Sequence, residues 1–500
     1  MMRTREDRCA LAASALLAAL LLLLFSRCSP LYPTNNWGEA NAFFTVGRGM
    51  LAGKLPYRDF ALNAGPLVFA LHALAAWISP GSFLGVWLLE IAALAAALFI
   101  AWRAAVRISG RKALSMGCAA LAGLLLVSSR AFVSGDTVEE FALPFQLWAL
   151  CDLLRYMDDA QRRMSLRRML LHGVLAGCVF WMKLALCGVH LAFIAVIAVD
   201  ALARAGGVQR AIKMCCAFAG GLALTLLPWL LYFGANGALA EFFSVYFYRN
   251  WKALVENARP LWYALVGLGS GVLRNPAAAL MLLCGAMYLL LRLVRRRWRA
   301  AHTAVALAFA CAAVLAYWDG TRYAYSPMAV AAFLLLSAGP LAQLVARLWR
   351  WRRAWGAVLA LAAALCVGFN GLTNGNLPYI GYPAEELPQQ KFAQIMAENG
   401  GGSLLTLEIP DSGFYLAAGQ LPEHARFADC PAYFVSSVAC EGLKSQYDVL
   451  EHNGVEWVIL RRGSAFNGFY KLVAEASSPY DRSVGAQGSP YRYYLFRRAQ

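Results

Sequence analysis

Long apolar runs fill the first three-quarters of this chain, separated by short knots rich in arginine. Runs at 9–25, 83–104, 113–129, 141–157, 168–183, 184–203, 212–233, 272–293, 303–318, 324–346 and 355–372 mostly span 16–23 residues. A helix needs about 20 residues to cross ~30 Å of hydrocarbon, so the pattern predicts eleven membrane helices. The run at 65–78 has only 14 residues and is bounded by Gly-Pro and Ser-Pro-Gly. It is too short to cross and is predicted to lie on the outer surface. Past residue 374 the pattern becomes that of a water-soluble chain. Helical spacing at 385–399 precedes a buried strand at 403–409, a short capped helix near 411–418, an amphipathic helix at 435–452, and strands at 456–461 and 492–497. These alternations predict a small α/β domain.

Composition agrees with this division. Hydrophobic residues make up 60% and charged residues 15% of the 500 residues, against about half and a quarter in ordinary soluble domains. A cytosolic enzyme, a fibrous chain and a disordered scaffold are excluded. The net charge of +17 divides into −3 for 375–500 and +20 for the membrane part. That charge sits beside apolar segments, where it sets orientation, rather than on one soluble face as nucleic-acid binding requires.

Basic residues also choose the sides. With the N-terminus inside and 65–78 left on the surface, the inside segments hold 24 Lys/Arg and the outside segments before the tail hold 11. The excess belongs on the cytoplasmic side, which sends the tail outside. A signal peptide at 9–25 is the competing reading, but no small-residue cleavage site follows. The expected fold is a polytopic α-helical membrane protein of about eleven transmembrane helices. Residues 1–374 form the membrane domain, with a long first outer loop at 29–82, and 375–500 form an extracytoplasmic α/β domain.

Eleven of the thirteen cysteines lie in or beside apolar runs, where Cys behaves as a small hydrophobe. Cys430 and Cys440 fall in the tail, where an outside location would permit a disulfide. No Cys or His spacing matches a metal site. His72, His172 and His190 are expected to pack rather than ligate.

Ionisable groups at a membrane edge are costly and become functional candidates. On this topology the outer face collects Glu39, Arg58 and Asp59 in the first loop, Asp136, Glu139 and Glu140 before the fourth span, Lys183 at a bend, and Asp319 with Arg322 in a late loop. A carboxylate beside an acceptor hydroxyl can serve as general base, and guanidinium or ammonium groups can hold a phosphate. Each residue also has a plainer reading. Glu139 and Glu140 suit a helix N-terminus, Lys183 suits snorkelling to head groups, and the others suit solvated loops. Glu90 lies deep in the second span, where a structural hydrogen bond is the expected role. The aromatic stretch at 234–271 reads as a loop of interface anchors or part of a lipid groove.

Three stretches carry a family likeness. EANAFFTVG at 39–47, GKLPYRD at 53–59 and NAGP at 63–66 resemble the opening of GT-C membrane glycosyltransferases, specifically bacterial relatives of protein O-mannosyltransferases and lipid A aminoarabinose transferases. SGDTVEEFALP at 134–144 is similar to the acidic segment that opens their fourth span, and 389–419, with DSGFYLAAG at 411–419, to their C-terminal domain. Two positions depart from the pattern: Glu39 stands where aspartate is common, and Ala64 where lysine is common before Gly-Pro. The resemblance implies sugar transfer from a polyprenyl-phosphate donor to a lipid, glycan or protein acceptor at the outer face of the bacterial inner membrane. It implies Glu39 as general base, with Asp59 orienting the acceptor or sharing that role. Arg58, Lys183 and Arg322 become expected phosphate contacts by charge and side, with Asp136, Glu139 and Glu140 as further substrate-binding candidates. A divalent metal is possible, though no ligand motif is present. The alternatives are a transporter or lipid flippase, for which no internal repeat is visible, and a non-catalytic component of envelope assembly.

Overall fold

A computed structural model describes residues 5–204, 207–318, 323–351, 353–429, 437–452, 454–461, 469–482 and 490–499. Every apolar run predicted to span contains a helix, and the segment expected at the surface forms the helix Pro66–Ile78. Contacts gather the chain into two compact units. One comprises Met1–Ser26, Leu89–Leu231 and Ala258–Leu377; the other comprises Arg27–Leu88, Tyr232–Asn257 and Pro378–Gln500.

The first unit is all helical. Among the described residues, six helices are individually long and apolar enough to cross a membrane, or seven if the bent pair Ser326–Leu336 and Ala338–Trp349 is one span. Together these make the chain a polytopic membrane protein. The 42° bend has a local cause, because the Ser337 hydroxyl donates to the Phe333 carbonyl at 2.8 Å and Gly339 and Pro340 follow. Two helix starts are fixed by side chains. Thr137 caps Val138–Asp158 by accepting from the Glu140 N–H, and Ser165 caps Leu166–Phe180 by accepting from the Arg168 N–H. Leu224, Leu227, Leu231, Leu361 and Leu365 remain exposed, as expected of helix faces whose solvent is lipid.

In the second unit the helix Gly38–Leu51 packs against Pro66–Ile78. Gly47 permits the close crossing: a Cβ there would lie 2.4 Å from the His72 carbonyl carbon. The C-terminal sheet has strands β1 (Leu404–Thr406), β2 (Trp457–Leu460), β3 (Tyr470–Arg482) and β4 (Pro490–Arg498), in the order β1-β2-β4-β3. The parallel β1–β2 pair requires a crossover, which the helix Ser437–Glu451 supplies. Leu405, Leu450, Val458, Leu460, Tyr470 and Phe496 form its core.

Two segments differ from the sequence reading. Strand β3 was not predicted, because its sequence is polar and contains Pro479. It lies at the sheet edge, where proline costs no ladder hydrogen bond. The stretch at 234–271 is helical rather than a loop, with a π-helix at Phe242–Arg249 followed by Asn250–Asn257 and Trp262–Arg274. Phe242 and Tyr246 turn inward and are buried, while Phe243, Tyr248, Trp251 and Trp262 stay exposed.

Candidate functional site

In the second unit, Glu39 occupies the first turn of Gly38–Leu51 and is half-buried. The positive end of the helix dipole favours its carboxylate there. Further along, Tyr57 adopts φ +72°, uncommon for a bulky residue. Its ring is held by edge and tilted contacts with Phe69, Phe233, Phe242 and Tyr246, and its hydroxyl donates to the Ala64 carbonyl at 2.8 Å. With Tyr57 anchored inward, Arg58 projects outward. The Arg58 Nε lies 3.2 Å from Asp59 Oδ1, and the Leu55 N–H donates to Asp59 Oδ2 at 2.7 Å. Partial burial alone would raise the Asp59 carboxyl, but these two donors outweigh it and hold the group below the usual carboxylate range.

A residue that sequence reasoning left without a role lies in the same unit. Asp411 is buried and accepts from the Thr45 hydroxyl at 2.7 Å and the Gly413 N–H at 3.0 Å. Burial raises its carboxyl despite those donors and nearby Arg48. The close approach of Pro410 to Gly38 completes the seat, so the 411–419 segment docks on the helix that carries Glu39 in its first turn. The resemblance marked both segments; their contact has no signal in the linear pattern.

In the first unit, two constellations form at the start of Val138–Asp158. Lys183 Nζ bonds Glu139 Oε1 at 2.8 Å and sits 4.8 Å from the Tyr325 ring centroid. The Glu139 side chain is 3% exposed and that of Lys183 34%. Beside this pair, Glu90 finds the partners that sequence could not name. The Ser26 hydroxyl donates to it at 2.8 Å, and the Asp136 N–H donates at 2.7 Å. The turn that presents this N–H needs positive φ at Gly135 (+82°) and Asp136 (+60°). Glu140 is also buried, and Glu90 and Asp136 are its electrostatic neighbours.

Asn376, another residue missed in sequence, donates to the carbonyls of Phe25 and Val133, both at 2.7 Å, tying three chain segments together. His172 pairs with Asp152 at 3.0 Å, and the His72 Nδ1 bonds the Val68 carbonyl at 2.8 Å.

Thus Glu139 meets Lys183, Asp136 and Glu140 gather around Glu90, and Arg58 meets Asp59. Asp319 and Arg322 lie outside the described residues, as does Cys430 of the expected disulfide. Among the described residues, no group of three or more His, Cys, Asp or Glu side chains is arranged to hold a metal ion.

Residues 3–254, just over half of the chain, match the family model described as "Putative competence-induced protein Ccs4 N-terminal domain". The chain belongs to this Ccs4 family. No curated protein matches its sequence. Among solved structures, this Ccs4-family chain is similar to ArnT from Cupriavidus metallidurans in the apo state, with a TM-score of 0.62, 12% identity, and 98% of each chain covered. It is also similar to the same protein bound to undecaprenyl phosphate, with a TM-score of 0.60, 13% identity, and 97% of this chain and 98% of that one covered. ArnT is a GT-C lipid A aminoarabinose transferase. At these identities the likeness shows the fold, and the Ccs4-family chain has the GT-C fold.

Proposed function

We propose that this protein is an inverting membrane glycosyltransferase that moves a sugar from a polyprenyl-phosphate donor to a cell-envelope acceptor. The observation that carries the reading is the likeness to ArnT over 98% of both chains, a protein that also has a structure bound to undecaprenyl phosphate. The first-loop segments at 39–47, 53–59 and 63–66 support it from the sequence side. We place the reaction at the outer face of the inner membrane, with the N-terminus inside and the C-terminal domain outside, on the arginine count.

In this reading Glu39 takes the proton from the acceptor hydroxyl, whose oxygen attacks the anomeric carbon. The bond from that carbon to the phosphate oxygen breaks, and the polyprenyl phosphate leaves with the electron pair. Glu39 sits in the first turn of its helix, where the dipole favours negative charge. Both Asp59 oxygens already accept hydrogen bonds, so Asp59 holds the Arg58 guanidinium in place as a phosphate contact. Lys183 and Arg322 are the other proposed cations. Lys183 also neutralises Glu139, which with Asp136 and Glu140 completes the proposed substrate-binding set.

The test is transfer from polyprenyl-phosphate sugars in membranes carrying Glu39→Gln or Asp59→Asn. Loss of a general base typically costs 10²–10⁴ in rate. Glu39→Gln should therefore reduce kcat by roughly that factor, and Asp59→Asn should act mainly on KM. Unchanged turnover in both variants refutes the catalytic assignment.

A further inference from the structure

The first unit contains a cavity of about 580 Å³, well inside the ~300–1,000 Å³ of ligand pockets. Most of its wall is apolar, with Leu282, Leu289, Val305, Phe309 and Phe333 among the lining residues. Its polar residues are strongly biased in sign: five arginines line it against one acid, Asp158.

Those arginines come from helix ends. Arg103 and Arg107 lie in the final turns of Leu84–Ser109, Arg155 in the last turn of Val138–Asp158 and Arg292 in that of Pro276–Val294, while Arg299 caps the start of Ala300–Tyr317. All five fall in segments that the basic-residue count assigns to the inside. Asp158 is paired with Arg107 at 3.1 Å, so its charge is already answered. Arg155 is likewise paired, with Asp152 at 3.2 Å. Arg292 is oriented by its own helix, with its guanidinium 4.9 Å from the Tyr288 ring centroid and a 2.9 Å bond to the Tyr288 hydroxyl.

An occupant must therefore carry anionic charge at one end and apolar surface along the rest. A free inorganic phosphate would satisfy the guanidiniums and leave the apolar wall wet, and an uncharged lipid would do the reverse. We infer that this cavity binds an anionic phospholipid of the cytoplasmic leaflet, its phosphate among Arg103, Arg292 and Arg299 and an acyl chain along the apolar wall. Guanidinium forks match phosphate oxygens, and basic pockets between membrane helices on that side suit phosphate head groups. The inference stands apart from the proposed transfer reaction, because it concerns residues that reaction does not use.

The test is native mass spectrometry of the delipidated full-length chain titrated with phosphatidylglycerol, and separately with phosphatidylcholine of the same acyl composition. The wild type should retain phosphatidylglycerol at least tenfold more tightly than phosphatidylcholine. Arg292→Gln with Arg299→Gln should weaken phosphatidylglycerol roughly tenfold per arginine. Ala286→Trp, which fills the apolar wall and keeps every arginine, should weaken both lipids. Arg111→Gln, outside the cavity, should change neither.

Equal retention of the two lipids by the wild type overturns the inference whatever the variants do. So does an arginine effect with no response to Ala286→Trp, which marks a surface charge effect. Displacement of phosphatidylglycerol by millimolar inorganic phosphate identifies a free-anion site and overturns it as well.

Discussion

Removing Lys183 should destabilise the protein more than removing its partner, and removing both should restore part of the loss. At 2.8 Å and an effective dielectric of ~20, the attraction between Lys183 and Glu139 is about 6 kcal/mol before costs. Solvent screening at the ammonium, whose side chain is 34% exposed, takes part of that away. The two ends are unequal, however. An unpartnered Lys183 can extend its stem toward water, whereas Glu139 at 3% exposure has nowhere to be solvated. Breaking a buried pair from one side costs about 3–5 kcal/mol, and partial exposure argues for the lower end in Lys183→Met. Thermal unfolding in detergent can be followed with a thiol-reactive dye, since Cys28, Cys118, Cys151 and Cys187 are buried and react only on opening. At ~2–4 °C per kcal/mol for a 150–250-residue domain, Lys183→Met should lower the midpoint by roughly 6–12 °C at matched scan rate. Glu139→Gln should lower it by less, and the double variant should melt above Lys183→Met. A double variant that is no better than the sum of the singles would refute the reasoning, because the buried charge would then not be the source of the loss.

Other substitutions separate packing from polar chemistry. Gly47→Leu must push its helix off the His72 backbone, so it should destabilise by about 1–3 kcal/mol and lower the yield of monodisperse protein on size exclusion. Glu90→Gln keeps an acceptor for the Asp136 N–H and removes one of three neighbouring buried acids, so its melting point should match or exceed wild type. Glu90→Ala removes the acceptor used by the Ser26 hydroxyl and the Asp136 N–H and should cost about 1–3 kcal/mol in the same melt. For Asp411, burial raises the folded carboxyl above its ordinary 3.8, so the folded state holds the proton more tightly than the unfolded state. Its contribution is therefore fully present below pH 3.8 and declines as pH rises toward the raised value. A melting-temperature series across that window should show the decline in wild type and a flatter profile in Asp411→Asn.

How much of this could be read from the chain follows from the range of each interaction. Hydropathy is a local signal, and it marked the apolar runs in which helices form, because a segment's own residues decide whether it can enter lipid. The Pro66–Ile78 helix was legible for the same reason, since fourteen apolar residues between two proline breaks cannot extend. Strand β3 was hidden because an edge strand has little apolar surface to declare itself, and Phe242 and Tyr246 because burial depends on a partner, Tyr57, far back in the sequence. The polar constellations are more distant still. Ser26 reaches Glu90 across 64 residues, Glu139 reaches Lys183 across 44, and Thr45 reaches Asp411 across 366. Hydropathy marks such side chains as expensive, which is why Glu90 and Glu139 stood out, but only the fold supplies the group that offsets the expense. That division gives the partners a diagnostic use. Where a costly residue finds a built structural partner, as Glu90 does in Ser26 and the Asp136 N–H, a stability change is the first expectation. Where the proposed role is chemical, as at Glu39, a change in rate is the sharper test.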